Sequence, residues 1–271
     1  MTAITLLTDF GETDYYVAAV KGVLLQRAPT ARQIDLGHRL APGDVAGASW
    51  MLSAASRWYP AGTVHLAVVD PGVGSTRRML AARCDEQLYV APDNGLLSDV
   101  LARSGRTTLV AADRPDLYLD GAAEGGFSSA GRTFAGRDRF APLAAALAGG
   151  EPLTALGPEI DDPIHLERPA PWHEGEIGAA GTSLHGYIVH CDRFGNLVSD
   201  IPTAWAGQRA CESLVEGHRT EVRADHYAAL AADQPALLPG SLGTLELALR
   251  DRSLAASWGV PRGVPLLIHL R

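Results

Sequence analysis

The strongest constraint on the fold is an apolar run that ends abruptly in a carboxylate and a glycine-rich turn. The run His65-Leu-Ala-Val-Val-Asp70 is followed by Pro-Gly-Val-Gly-Ser-Thr-Arg77, which places an arginine seven residues after the aspartate. We expect a buried strand to stop at Asp70, because the glycines allow backbone conformations that a Cβ disfavours. Ligands of open α/β sheets bind beyond the carboxyl ends of strands, and the pattern therefore predicts a site here.

The N-terminus repeats this arrangement. The run Ile4-Thr-Leu-Leu-Thr-Asp9-Phe-Gly11 is a second short apolar strand that ends in an aspartate and a glycine turn. Strand-like and helix-like segments alternate up to about residue 160, with helices predicted at 15–28, 45–59, 96–103 and 140–148. This alternation is typical of a mainly parallel sheet with helices on both faces.

The pattern changes after a proline-containing segment. Prolines 163, 169 and 171 indicate an extended linker, and short strand candidates separated by turns follow it. The predicted fold class is therefore α/β, with an N-terminal mainly parallel α/β sandwich domain and a smaller C-terminal all-β, barrel-like domain. The predicted boundaries are 1–162 for the first domain, 163–174 for the linker and 175–271 for the second.

Composition excludes several classes of protein. The 271 residues carry a net charge of −8 without a basic block, which argues against nucleic-acid binding. No apolar run reaches the roughly 20 residues that a membrane helix needs, and we expect no signal peptide. The three cysteines are widely separated and indicate reduced thiols and a cytoplasmic protein. The nine histidines show no metal-binding spacing, so no metal site is expected.

Six motifs, taken together, resemble one enzyme family. The chain resembles the S-adenosylmethionine (SAM) hydroxide adenosyltransferases, or SAM hydrolases, which are related to the bacterial fluorinases and chlorinases. The motifs occur in family order and cover nearly the whole chain: Leu7-Thr-Asp9-Phe-Gly11 with Asp14, Val68-Val-Asp70-Pro-Gly-Val-Gly-Ser75 with Arg77, Ala91-Pro-Asp-Asn-Gly-Leu-Leu97, Thr133-Phe-Ala-Gly-Arg-Asp138, Asp192-Arg-Phe-Gly-Asn196 and Ser241-Leu-Gly243.

The resemblance implies a reaction and an assembly. Water or hydroxide attacks C5′ of SAM and releases adenosine and L-methionine, without a metal or redox cofactor. The implied assembly is a homotrimer that holds the substrate between the N-terminal domain of one subunit and the C-terminal domain of its neighbour.

The resemblance assigns the orientation of water to Asp70 and Arg77. A guanidinium stabilises the charge of a neighbouring carboxylate and donates hydrogen bonds itself, although an ion pair that only braces the turn would use the same residues. Arg78 is a competing candidate that should face the opposite way on an extended segment.

The related halogenases carry a tyrosine at the position of Asp70. Because a carboxylate repels halide, water is the favoured nucleophile.

The resemblance assigns a further set of residues to substrate binding: Asp9, Asp14, Asp192, Asn196, Ser241 and Glu246. Asp9 matches the residue that binds the ribose hydroxyls, and Asp14 and Asp192 match positions near the methionine ammonium. The alternatives are a turn cap for Asp9 and a helix cap for Asp14. Asn196 matches the residue that recognises adenine, and a turn conformation could also account for it. Ser241 and Glu246 match positions at the methionine end.

One position departs from the family pattern. Hydrolases of the family usually have histidine where this chain has Ala135. A methyl group carries no proton, and the loss of a positioned acid–base group typically lowers the rate about 10²- to 10⁴-fold. Three explanations are open for the alanine. It is an engineered substitution, or a natural variation in which Asp70 and Arg77 orient the water without help. In the third, the protein uses another nucleophile or binds its ligand without catalysis. We predict a hydrolase of reduced activity; the alternatives are a catalytically silent SAM- or adenosine-binding protein and a SAM-dependent halogenase.

Overall fold

The computed structural model describes residues 2–119, 133–177, 181–206 and 209–271. The chain forms two compact units, Met1–Leu166 and Glu167–Arg271. The division lies within the segment 163–174, where the prolines predict a linker. Within the described residues, no helix has both the length and the apolar character needed to cross a membrane.

The N-terminal unit contains a seven-stranded mixed sheet with the order β2-β1-β3-β5-β4-β6-β7. The strands are β1 (Ala3–Thr8), β2 (Arg32–Gly37), β3 (Val64–Val68), β4 (Met79–Cys84), β5 (Gln87–Pro92), β6 (Thr107–Ala111) and β7 (Glu159–Ile160). Strands β2, β1, β3 and β5 run parallel. The remaining pairs are antiparallel, and one of them, β4 with β5, is a hairpin closed by the polar turn at Asp85.

Helices cover both faces of this sheet. The helices are α1 (Tyr16–Arg27), α2 (Val45–Ser56), α3 (Ser98–Arg103) and α4 (Ala141–Ala148). Side chains alternate along β1, so Leu6 packs with α1 and α4 whereas Leu7 packs with α2 and α3. Asp44 caps α2, and its carboxylate accepts a 2.9 Å hydrogen bond from the Gly47 amide. The structure confirms the predicted α/β class of this part.

The C-terminal unit is built on an eight-stranded antiparallel sheet. Its strands are β8 (His173–Ile177), β9 (Gly181–Cys191), β10 (Leu197–Pro202), β11 (Cys211–Val215), β12 (His218–Thr220), β13 (Ala236–Pro239), β14 (Thr244–Ala248) and β15 (Pro265–Leu270). The order is β12-β11-β15-β9-β10-β14-β13, with β8 also paired to β9. Leu184, Ile188, Leu247 and Ile268 lie in its core. The unit is barrel-like, which confirms the predicted architecture.

Candidate active site

A desolvated ion pair follows the end of β3. Asp70 accepts a 2.6 Å hydrogen bond from Nε of Arg77 through Oδ1, and Nη2 of the same arginine donates to Oδ2. The Asp70 side chain is 4% exposed and that of Arg77 is 13% exposed. The guanidinium also lies over the ring of Phe140, 5.1 Å from its centroid. A bidentate pair of this kind has a fixed geometry, because two parallel hydrogen bonds hold both planar groups.

The neighbouring arginine, Arg78, binds two other aspartates. Arg78 donates from Nε to Asp93 at 2.8 Å and from Nη1 to Asp162 at 2.8 Å. These contacts lie on the other side of the extended segment, as the alternation of side chains predicts. The structure thus pairs Asp70 with Arg77 and leaves Arg78 to hold the segment around Asp162.

Two cavities meet at Ala135. A cavity of about 80 Å³ is lined by Asp9, Asp70 and Ala135, together with Phe10 and Phe134. A second cavity, of about 300 Å³, is lined by Ala135, Arg77, Ser75 and Arg139. Ala135 directly precedes a π-helical turn, Gly136–Phe140, that leads into α4. The fold therefore brings Asp9, Asp70, Arg77 and Ala135 together at the carboxyl ends of the parallel strands β1 and β3.

The two other N-terminal candidates differ in their surroundings. One carboxylate oxygen of Asp9 accepts a 2.7 Å hydrogen bond from the Gly43 amide. Asp9 therefore holds the loop before α2, while its second oxygen accepts no hydrogen bond from the described residues. Asp14 is exposed. It does not cap α1, because the cap residue of that helix is Tyr15 and no side chain caps it.

A compact turn positions the C-terminal candidates Asp192 and Asn196. Oδ1 of Asp192 accepts the backbone N–H groups of Phe194 and Asn196, both at 2.9 Å. Oδ2 accepts a 2.9 Å hydrogen bond from the Asn196 side-chain amide. Gly195 supplies the left-handed conformation of this turn with φ +83°, and a Cβ there would collide with Ser253. The turn therefore requires glycine at 195, and Asp192 holds both the backbone and the side-chain amide of Asn196.

This turn borders a large cavity of about 780 Å³, which is lined by Asp192, Asn196 and Ser241. Tyr227 and the exposed ring of Phe194 also line it. No motif in the sequence singled out Tyr227. It stands in a short 3₁₀ turn without hydrophobic periodicity, and only the fold brings it to this cavity.

Glu246 lies on β14 and is 5% exposed. It accepts a hydrogen bond from the Tyr227 hydroxyl. Burial raises the pKa of Glu246, the Tyr227 hydrogen bond lowers it, and the charge of Asp192 raises it further. Burial and the neighbouring Glu246 likewise raise the pKa of Tyr227. Within the described residues, no group of three or more His, Cys, Asp and Glu side chains could hold a metal ion.

Comparison of the sequence with models of protein families identifies the family of this chain. The SAM hydroxide adenosyltransferase N-terminal domain matches residues 4–157, and the C-terminal domain of the same family matches residues 186–266. The chain belongs to the SAM hydroxide adenosyltransferase family. This confirms the family predicted from the six motifs, and with it the prediction of an enzyme.

Several relatives align with nearly the whole length of this chain. A Thermus thermophilus protein named (R)-S-adenosyl-L-methionine hydrolase is 38% identical over 98% of this chain and 99% of its own. A Nocardia brasiliensis fluorinase is 26% identical over 98% of this chain and 96% of its own. The crystal structure of an uncharacterised conserved protein from Thermotoga maritima matches with a TM-score of 0.86 and 29% identity, and it covers 98% of this chain and 99% of its own.

Proposed function

We propose that this protein hydrolyses SAM to adenosine and L-methionine. The observation that carries the proposal is the bidentate Asp70–Arg77 pair beside a cavity that Asp9 and Ala135 also line. The family match and the Thermus relative's name support the same reaction.

The reaction is a displacement at C5′ of the ribose. The oxygen of a water molecule forms a bond to C5′, the C5′–S bond breaks, and its electron pair stays on sulfur. The cationic sulfonium thereby leaves as the neutral thioether of methionine, and the water proton passes to Asp70. Arg77 retains N–H groups that Asp70 does not use and that can donate to the water oxygen. Alignment of the nucleophile is then the main task of the protein, and no metal or redox group is needed.

Six residues are proposed to bind the substrate, on the support of the family motifs. The free oxygen of Asp9 accepts the ribose hydroxyls, Asn196 contacts the adenine, and Asp14 and Asp192 attract the methionine ammonium. Ser241 and Glu246 line the methionine end. The complete set is Asp9, Asp14, Asp192, Asn196, Ser241 and Glu246.

The sulfonium of SAM is a stereocentre, so the protein can distinguish two epimers. Relatives from Thermus thermophilus and from two Salinispora species are named (R)-S-adenosyl-L-methionine hydrolases. We therefore propose the (R)-sulfonium epimer as the preferred substrate.

Ala135 is proposed to reduce the rate, because no side chain at this position can exchange a proton with the water molecule. A catalytically silent SAM- or adenosine-binding protein is the second candidate function, and Ala135 is the observation that favours it. A halogenase is disfavoured, since the buried carboxylate of Asp70 would repel a halide ion.

The test is incubation of the purified protein with SAM of known epimer composition, followed by chromatography of the nucleosides. We expect adenosine without added halide, faster loss of the (R)-epimer, and no adenosine from the Asp70→Asn variant. Tight binding without turnover would establish the silent binder instead. A halogenated nucleoside that forms only with added halide would establish the halogenase.

A further inference from the structure

The loop that contains Asp70 and Arg77 crosses the end of a third strand. The loop leaves the sheet after β3 and returns to it at β4, and β5 lies between these two strands. Most residues between Asp70 and Arg77 are exposed to solvent. Hydrogen bonds inside the loop are local, such as the one from the Val73 amide to the Asp70 carbonyl at 3.2 Å. The position of the ion pair relative to the sheet therefore depends on how the two ends of the loop are held.

The turn that follows β5 holds the first end of the loop. β5 ends at Pro92, and Nδ2 of Asn94 donates a 2.9 Å hydrogen bond to the carbonyl of Val69, the residue before Asp70. The amide atom at Val69 must be the nitrogen, because a carbonyl oxygen only accepts. Oδ1 of Asn94 accepts a 3.2 Å hydrogen bond from the Leu96 amide. One end of the side-chain amide therefore fixes the turn, and the other fixes the backbone beside Asp70.

The same turn holds the second end of the loop. The Asp93 side chain is 1% exposed and accepts a 2.8 Å hydrogen bond from Nε of Arg78, the residue after Arg77. The Asp93 amide donates a 3.0 Å hydrogen bond to the Arg78 carbonyl. Nη1 of Arg77 donates to that carbonyl at 3.4 Å. Asp93 therefore fixes the backbone beside Arg77 together with an acceptor for its guanidinium group.

The far side of the turn is anchored as well. Oδ1 of Asp93 accepts a 2.8 Å hydrogen bond from the Ile164 amide. Gly95 has a φ of +93°, and a Cβ there would collide with Leu166. The Leu166 amide in turn donates a 2.9 Å hydrogen bond to the Ser98 hydroxyl. The turn is thus held between the loop on one side and the segment 162–166 on the other.

We propose that Asp93 and Asn94 are positioning residues that hold the Asp70–Arg77 pair in place for the reaction. They act on the backbone next to each member of the pair, and not by contact with the substrate. This inference rests on the proposed function, in which the pair orients the attacking water. The motif 91–97, which the structure describes in full, contributes no side chain to the walls of the two cavities beside the pair. The inference gives this motif a role.

Loss of this support should affect the chemical step and leave substrate binding intact. Displacement at C5′ requires the water oxygen to lie in line with the C5′–S bond, and an error of about 1 Å in a positioned group can lower the rate about 10²-fold. The ribose hydroxyls are proposed to bind Asp9, which accepts its hydrogen bond from Gly43. Neither the turn after β5 nor the ends of the loop take part in that contact.

The test is single-turnover hydrolysis of SAM by the wild-type protein and by Asn94→Ser. A serine hydroxyl can still accept from the Leu96 amide and keep the local turn, but it is too short to reach the Val69 carbonyl. With protein in excess, the rate constant at saturation does not depend on an inactive fraction. We expect it to fall about 10- to 100-fold, while the half-saturating protein concentration changes less than about twofold.

Ser98→Ala is the matched control. It removes the hydrogen bond to the Leu166 amide on the far side of the turn and leaves the loop contacts of Asp93 and Asn94 in place. We expect a lower melting temperature for this control, with the wild-type rate constant and half-saturating concentration. Thermal unfolding of each variant, measured in parallel, shows that it is folded at the assay temperature.

Arg78→Lys tests the second end of the loop, and it carries the test if Asn94→Ser does not fold. A lysine keeps the positive charge but cannot reproduce the Nε contact with Asp93 together with the Nη1 contact with Asp162. We expect the same pattern as for Asn94→Ser, a lower rate constant with an unchanged half-saturating concentration.

A wild-type rate constant in folded Asn94→Ser overturns the inference, and so does an equal fall in the Ser98→Ala control. A higher half-saturating concentration with an unchanged rate constant also overturns it, since Asn94 would then act in binding. A wild-type rate constant in folded Arg78→Lys overturns the role assigned to Asp93. In each of these cases the wild-type protein still hydrolyses SAM, so only this inference fails. If the wild-type protein does not hydrolyse SAM, the proposed function fails and this inference fails with it.

Discussion

At the scale of single residues, Ala135 presents only a methyl group to two cavities beside the Asp70–Arg77 pair. Ala135 lines both the cavity with Asp70 and the cavity with Arg77. A longer side chain at this position would therefore point into space that borders the ion pair. The motif around it, Thr133-Phe-Ala-Gly-Arg-Asp138, matches the family pattern in its other residues.

We predict that Ala135→His raises the rate of SAM hydrolysis at least tenfold, because a positioned imidazole supplies proton transfer worth about 10²- to 10⁴-fold. Single-turnover formation of adenosine measures the chemical step. The control is the double variant Ala135→His with Asp70→Asn, which should gain nothing since the histidine acts beside the carboxylate. An unchanged rate in the single variant would contradict the position assigned to the missing histidine.

At the scale of secondary-structure elements, a buried polar row crosses the sheet beneath α2 and α3. Thr5, His65 and Tyr89 are register partners on β1, β3 and β5. The Thr5 hydroxyl lies 2.7 Å from Nδ1 of His65, and the His65 ring stacks on Tyr89 with centroids 4.8 Å apart. His65 is fully buried. The row links three parallel strands through contacts that depend on a neutral imidazole.

This row predicts a loss of stability in acid. Burial lowers the pKa of His65 from 6.5 to about 4, and the positive charge of Arg103 lowers it further. Between pH 6.5 and 4 the unfolded chain binds this proton and the folded chain does not. The contribution of His65 is therefore complete above pH 6.5, and about 3 kcal/mol of it is lost as the pH falls to 4.

Urea unfolding of the wild-type protein and of His65→Gln, measured from pH 7 to pH 4, tests the prediction. The variant should lose less stability across this range, whatever its stability at pH 7. The exposed His165 provides the control, and His165→Gln should follow the wild-type pH dependence. Parallel curves for the wild type and His65→Gln would show that His65 does not carry the effect.

At the scale of the whole molecule, the candidate residues divide between the two units. Asp9, Asp70 and Arg77 belong to Met1–Leu166, whereas Asp192 and Asn196 belong to Glu167–Arg271. The family resemblance implies a homotrimer in which neighbouring subunits share each site, and we propose this assembly. Each site would then combine the N-terminal unit of one copy with the C-terminal unit of the next.

Subunit mixing tests this assembly. Asp70→Asn and Asn196→Ala each disable one half of the site, so each variant alone should be inactive or nearly so. When equal amounts of the two variants are refolded together, half of the N-terminal units and half of the C-terminal units are intact. Each shared site therefore has one chance in four of containing two intact halves. About a quarter of wild-type activity should then return. No recovery in co-assembled trimers would place both halves of each site in one chain.

Local sequence patterns predicted most of the elements that position the site. The strand ends before Asp9 and Asp70 depend on neighbouring residues, and a short stretch of sequence therefore reveals them. Strand β6 has a weak local signal, because its apolar residues are few and flanked by polar ones. Strand β8 begins at His173, inside the segment whose prolines predict a linker.

The sequence by itself determined the two-part α/β and β architecture, the family and the carboxylates at the strand ends, since these depend on local periodicity, turn residues and motif order. Only the tertiary structure decided that Tyr227 lies beside Asn196 and donates its hydroxyl hydrogen to Glu246. Tyr227 is 31 residues away from Asn196 in the chain. Hydrogen-bond roles are assigned by the atoms that packing brings within about 3 Å, and no local pattern records them.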